Sequence, residues 1–414
     1  MKSLAGAAGT ALLLFACASF PASAQDAAPA SPPAAAKPAT KPAAAIPPEQ
    51  TFHVGVVRQL PEQPPWVAPL QMPPDDLGLA GAELGIRDNL TSGRFLKLDY
   101  KLATEIVPTD GDPLSAAQKL ADAGNRFILL DVPADQLLRI ADAFKGTDVI
   151  LVNVGAPDDR LRQQDCRANV FHIAPSRAML TDALAQFLVS KRWLNWFLMV
   201  GRTDADKLYA EAVRRSAKKF GGKIVAEKTW DYGPDARATA QSEVPRGTQV
   251  GDYDMLIVAD ELGEFGDILP YNTWLPRPTA GTQGLMPLSW HWTMENWGAS
   301  QLQNRFFKQA NRLMQPLDFQ MWEGVFAIGS AGLKTRSSDP AKVRAQLLAP
   351  NYDLPVFKGV AASFRDWDHQ LRQPILLTHA TNTVTLSPQQ GFLHQSSPLD
   401  TLGFDRPETA CKFQ

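Results

Sequence analysis

Arg126–Val154, RFILLDVPADQLLRIADAFKGTDVILVNV, is the stretch from which the architecture can be read. Arg126–Val132 and Asp148–Val154 are short, nearly unbroken apolar runs, the pattern of strands buried on both faces. Pro133–Ala143 between them reads as a helix, so the stretch is a parallel strand–helix–strand unit. Toward the N-terminus, Phe52–Val57 is a further buried strand. A proline-rich loop follows it, and Asp75-Asp76 then caps a helix on which Leu79, Ala82, Ile86 and Leu90 recur at helical spacing. Toward the C-terminus the alternation continues with strands Val170–Ile173, Trp196–Val200, Lys223–Ala226 and Met255–Val258 and helices Ser176–Ser190 and Thr203–Phe220. The units form two sets, one ending near Ile173 and one starting near Ser176, with Ala174-Pro175 as the connection. The expected fold class is α/β, with two doubly wound parallel-sheet lobes.

Beyond Pro276 the pattern changes. A Pro- and Gly-rich loop leads to the cluster Trp290, Trp292 and Trp297, followed by two successive helices near Ala299–Ala310 and Asp318–Leu333. Phe357–Phe364 and Pro374–Thr378 read as antiparallel strands, and the tail from Leu386 reads as loop.

The chain has 414 residues, a natural size for two lobes. With 41 basic against 43 acidic side chains, net charge −2, it carries no electrostatic footprint for nucleic acid or an anionic membrane. Lys2, the apolar stretch Ala5–Phe20 and Ala22-Ser23-Ala24 read as a signal peptide over 1–24, so the mature protein is expected in the periplasm. The apolar run is too short to span a bilayer. Leu14-Phe15-Ala16-Cys17 leaves open a second route, a lipoprotein anchored through Cys17. Residues 25–50 contain 17 Ala and Pro residues in 26, a composition that forms no core and acts as a linker.

Cys166 and Cys411 remain after cleavage. In an oxidising compartment an even count favours a 166–411 bridge pinning the C-terminal tail to the body, the alternative being two unrelated buried thiols. The six histidines form no metal-ligand pair, and the nucleophile-elbow, phosphate-loop and dinucleotide motifs are all missing. No cofactor or catalytic residue is therefore assigned. A binding protein is expected, not an enzyme.

In open parallel sheets ligands sit beyond the carboxyl ends of strands, where helix N-termini present free N–H groups. That rule selects Asp131 and Pro133, Ala156 and Asp158, and Asp260 and Glu261, with Gln59 and Trp66 from the first-strand loop. Each acid could equally be a helix cap. Trp274 and Trp290 lie in loops or at lobe connections where an indole can stack on a ligand, although core packing is the commoner role of a tryptophan. Tyr209 opens a second-lobe helix and could close over a ligand or simply pack.

The run Ala168–Met179 and the following Val200–Ala210 resemble the lobe-crossing segment, next strand and helix start of type I periplasmic binding proteins of the branched-chain amino acid class. Several segments resemble one subgroup more closely, the ABC-transporter substrate-binding proteins associated with pyrroloquinoline-quinone-dependent alcohol dehydrogenase systems. They are Ala156–Asp159, Asp165–Asn169, Pro270–Pro278, Gln301–Phe306, Leu371–Leu377, Gly391–Gln395 and Leu402–Pro407. The resemblance implies three lobe crossings, with lobe one at 51–174 and 290–345 and lobe two at 175–289 and 346–414. It also implies a monomer that closes on a small molecule, with an ABC permease and a periplasmic alcohol dehydrogenase as partners. Amino-acid binders of this class carry hydroxyl-bearing turns after the third and fourth strands. Here those turns read Asp131-Val132-Pro133-Ala134 and Gly155-Ala156-Pro157-Asp158, whose carboxylates would repel a carboxylate ligand. The expected cargo is a neutral, polyhydroxyl, aromatic or cationic molecule.

Overall fold

The computed structural model describes residues 50–62, 72–231 and 236–413. Five strands, β1 (Gln50–Gln59), β2 (Leu98–Val107), β3 (Phe127–Asp131), β4 (Ile150–Asn153) and β5 (Val170–His172), form a wholly parallel sheet in the order β2-β1-β3-β4-β5. Helices α1 (Leu79–Gly93), α2 (Pro113–Asp122) and α3 (Ala134–Ala143) connect its strands. Every residue of β4 is buried, as a parallel strand covered on both faces requires. β2 is the edge strand, half exposed and carrying Asp99, Lys101 and Glu105, so no apolar run marks it in the sequence.

The chain then crosses to a second parallel sheet made of β6 (Asn195–Val200), β7 (Lys223–Thr229), β8 (Met255–Ala259) and β9 (Thr279–Gly281), in the order β7-β6-β8-β9. Its helices are α4 (Arg177–Ser190), α5 (Asp204–Phe220) and α6 (Ala236–Gly247). α5 begins with a reciprocal capping box between Thr203 and Asp206 and ends on Gly221, whose φ of 88° closes the last turn without a Cβ clash.

After β10 (Met286–Leu288) the chain returns to the first lobe with α7 (Ala299–Ala310), α8 (Pro316–Thr335) and α9 (Pro340–Leu347), followed by the short antiparallel strands β11 (Leu354–Pro355), β12 (Ala361–Phe364) and β13 (Leu371–Arg372). It ends in the second lobe with β14 (Ile375–His379) and β15 (Asn382–Ser387), antiparallel to β10 and to each other.

The first core lies between the β1–β5 sheet and α1, α7 and α8. Glycines let α1 and α8 approach closely: a Cβ on Gly81 would sit 1.9 Å from the Asp318 carbonyl oxygen. The Asp318 side chain also accepts from the Gly78 amide at 2.7 Å, capping α1 from a distant helix where Asp75-Asp76 had been expected to cap it locally. Tyr352, Leu354, Val356, Phe364 and Leu371 belong to this same core. Residues 346–372, assigned to lobe two on resemblance, therefore pack in lobe one, and the third crossing falls at Gln373-Pro374. The reason is hydrophobic: the apolar side chains after α9 complete the layer over α8.

Two devices tie the crossings down. Cys166 and Cys411 form a disulfide across 245 residues, holding the tail against the first lobe. At the hinge, Lys358 donates to the Gln373 amide oxygen at 2.5 Å, and the Gln373 nitrogen donates to the Ile173 carbonyl at 2.8 Å, which links the first and third crossings. Glu323 of α8 faces this group from within the core. Burial raises its carboxyl to about 7, with the Lys358 charge opposing, and burial lowers Lys358 to about 8. Among the described residues no helix is long and apolar enough to cross a membrane.

Cys411→Ser should lower the unfolding free energy by about 2–4 kcal/mol, because opening so long a loop frees the unfolded chain. Denaturant titration of oxidised protein checks this. Glu323 keeps its proton to higher pH when folded than when unfolded, so its contribution is complete below about 4.5 and lost as pH rises through about 7. Glu323→Gln removes that titration, and across this window it should gain roughly 3 kcal/mol relative to the parent in denaturation curves.

Candidate functional site

The turn after β4 is shaped by one side chain. Asn153 is fully buried; its oxygen accepts from the amides of Gly155 (3.3 Å) and Ala156 (2.9 Å), and its nitrogen donates to the Ala156 carbonyl at 2.8 Å. That nitrogen also lies 3.1 Å from Nδ1 of His172, whose pKa burial pushes far down, so the imidazole is neutral and accepts there. Gly155 is required for space, since a Cβ would meet the Asp131 carboxylate at 2.2 Å.

Arg162 then clamps the turn to the first crossing. Its buried guanidinium donates to the carbonyls of Ala156 (2.9 Å), Asp158 (3.0 Å) and Ala174 (2.6 Å) and to the Gln370 amide oxygen (2.8 Å). Four acceptors hold a cation that burial has lowered to about 10.

Arg177 is the first residue of α4, just past that crossing, and it is 5% exposed. Its Nε and Nη2 chelate Glu261 at 2.8 and 2.6 Å, and its Nη1 lies 3.2 Å from Asp158 without the alignment of a full hydrogen bond. Asp158 belongs to the first lobe's β4 turn and Glu261 to the second lobe's β8 turn. One guanidinium thus joins carboxylates from both lobes. Burial disfavours its charge, and Glu261 and Asp158 more than offset that, leaving its pKa above the ordinary value. Burial raises Glu261 despite Arg177.

The Glu261 amide donates to Asp206 at 2.7 Å, and Asp206 is the acid of the α5 capping box. One turn on, Tyr209 is buried with no partner for its hydroxyl, its pKa raised by burial and then by the Glu261 charge. The assembled cluster is therefore Asp158, Arg177, Tyr209 and Glu261, supported by Asp206.

Three of the expected ligand residues, Asp158, Tyr209 and Glu261, come together in this cluster. The others do not join it. The Asp131 carboxylate pairs with Arg58 at 3.1 Å inside the first lobe, its pKa raised by burial. Asp260 accepts from the amides of Glu264, Phe265 and Gly266 at 2.7–2.9 Å, which makes it the brace of its own loop. Gln59 donates to the Thr109 carbonyl at 2.8 Å, and Pro133 is the exposed residue before α3. The Ala156 side chain lies in the apolar core of lobe one, and its carbonyl is taken by Asn153 and Arg162. Trp290 is wholly buried and stacks on Phe319 at 4.5 Å, so it fills the core. Trp66 lies outside the described residues.

Sequence reasoning missed Arg177, the centre of the cluster. Its signal was an arginine opening a helix one residue beyond Ala174-Pro175, after the N-cap Ser176. Among the described residues no three His, Cys, Asp or Glu side chains gather to hold a metal ion.

A family model described as "Periplasmic binding protein" matches residues 90–242. No curated protein matches the chain at a significant level. Among solved structures, a periplasmic binding protein from Burkholderia mallei is 15% identical with a TM-score of 0.65, the match covering 88% of this chain and 99% of that one. A leucine-, isoleucine-, valine-, threonine- and alanine-binding protein from Brucella ovis, in its closed conformation, is 14% identical with the same TM-score and coverages of 88% and 99%. A solute-binding protein of an ABC transporter from R. palustris, in complex with benzoate, is 12% identical with a TM-score of 0.61, covering 88% and 100%. The chain has the type I periplasmic binding protein fold.

Arg177→Met leaves the partly buried Glu261 and Asp158 without their counter-charge and should cost about 2–3 kcal/mol. The double variant Arg177→Met/Glu261→Gln should recover part of the loss, because one uncompensated charge is gone. Guanidinium denaturation of the three proteins measures the coupling directly.

Proposed function

We propose that the chain is an exported periplasmic solute-binding protein that holds a small molecule between its lobes and delivers it to an ABC permease. The observation that carries this is the meeting of the β4 and β8 turns at Arg177, at the carboxyl ends of two parallel sheets, where such sheets take ligands. The fold supports it: the similar solved proteins include an amino-acid binder and a benzoate complex.

The cargo proposed is not a simple amino acid. Asp131 is matched by Arg58, and the guanidinium of Arg177 is shared by Glu261 and Asp158, so neither cation is left unpaired for a ligand carboxylate. A neutral, polyhydroxyl, aromatic or cationic molecule fits this balance, since none of these needs an unpaired cation from the protein. The finer assignment, to a transporter working beside pyrroloquinoline-quinone-dependent alcohol oxidation, rests on the sequence resemblance of Pro270–Pro278, Leu371–Leu377 and the other segments named above. A sensor or scaffold role without transport is the alternative.

Mass spectrometry of small molecules retained through native purification should identify the cargo. At a hundredfold excess over its Kd, that compound should stabilise the protein by about 2.7 kcal/mol in thermal unfolding. Leucine should give no heat in isothermal titration; micromolar leucine binding would overturn the proposed cargo class. Affinity capture from the periplasm separates the two roles, a permease supporting transport and a dehydrogenase alone supporting the scaffold.

A further inference from the structure

The second lobe carries a groove whose lining includes none of the residues of the Arg177 cluster. β9 is the edge strand of its sheet, and the Leu269–Pro278 loop runs alongside. Between this loop, the Gln283–Met286 turn and the end of β14 at His379 lies a groove of about 820 Å³, within the size range of small-ligand sites.

Three observations bear on what it takes. Tyr271 is fully exposed and Trp274, like Trp297, is more than half exposed, whereas Trp196, Trp230, Trp290 and Trp322 are buried. The loop presenting the two rings is braced: the Trp274 amide donates to the Thr248 hydroxyl at 2.9 Å, the Thr273 hydroxyl to the Leu275 carbonyl at 2.6 Å, and the Asn272 amide to the Ile268 carbonyl at 2.9 Å. Two large rings are therefore held toward water, where they cost free energy unless something covers them.

Second, the charges at the rim already have partners. Arg277 pairs with Asp252 at 2.7 Å and Asp267 lies 3.9 Å from Arg237, so Arg and Asp charges of opposite sign sit in balance along the rim, with the imidazole of His379 beside them. Third, Thr279 lines the groove from β9, is 8% exposed, and its hydroxyl has no hydrogen-bond partner. A ligand oxygen that reached this hydroxyl would satisfy a group now buried unpaired.

We propose that this groove is a second small-molecule site whose ligand is a neutral ring bearing hydroxyl groups. The ring stacks on Trp274 and Tyr271, and a ligand hydroxyl meets Thr279. Neutrality follows from the paired rim. Two sources share this chemistry, a pyranose sugar and an aryl alcohol. The site is independent of the interlobe proposal and stands whether or not that one holds.

Methyl β-D-glucopyranoside and benzyl alcohol, titrated separately into the purified protein with tryptophan fluorescence and saturation-transfer NMR as readouts, test it. One probe should saturate with a Kd on the order of millimolar, and the arm that responds identifies the source. Trp274→Ala should weaken binding roughly fivefold or more, with Trp274→Phe restoring part of it, and Thr279→Val should weaken it by about threefold. Both positions allow folding to be verified by circular dichroism, since Trp274 is largely exposed and valine matches threonine in shape. The proposal fails if neither probe saturates, if Trp274→Ala binds as the parent does, or if binding is lost in Arg177→Met and kept in Trp274→Ala. The last outcome would place the probe between the lobes.

Discussion

A guanidinium taken out of water has to be matched by acceptors, and Arg177 finds them on both sides of the lobe boundary. Glu261 takes two of its N–H groups, and Asp158 supplies the opposing charge from the other lobe. Removing Arg177 would strip both carboxylates of their counter-charge, whereas removing either carboxylate alone leaves the buried guanidinium one partner. The turns after β4 and β8, the start of α4 and the capping box of α5 all take positions that keep this pairing closed. The relative placement of the lobes at their meeting point is therefore an electrostatic result built upon hydrophobic cores.

The connections between lobes follow the same logic. Arg162 holds the first crossing through four acceptors, and Gln373 ties the third crossing to the first. Glu323 and Lys358 sit behind them, each displaced toward its neutral form by burial. Polar groups in these places specify geometry where apolar packing would permit several arrangements. The disulfide adds a covalent constraint at the far end of the chain, where the tail makes little core of its own.

How well the structure could be foreseen varies with the physical signal. β1, β3, β4, β6 and β8 announce themselves because strands buried on both faces must be apolar at nearly every position. β2 hides because it is an edge strand with charges on its exposed side. Asp158 and Glu261 were accessible through the rule that ligands gather at strand carboxyl ends, and Tyr209 through its place at the start of a second-lobe helix. Asp131 and Asp260 obey the same rule and bond within their own lobes, Asp131 to the Arg58 guanidinium and Asp260 to the amides of its own loop. Trp290 was drawn away from the site by the stacking partner that α8 places beneath it.

Local periodicity in the chain was enough to decide that there would be two parallel sheets flanked by helices, because burial on both faces dictates composition residue by residue. The expectations of an export signal and an alanine–proline linker are likewise drawn from local composition. The partner of each charge was not decided there. Arg177 and Glu261 are 84 residues apart, and Gly78 and Asp318 are 240 apart. Such pairs exist only once the lobes have packed, since the free energy that selects them is the desolvation of particular groups in a finished interior.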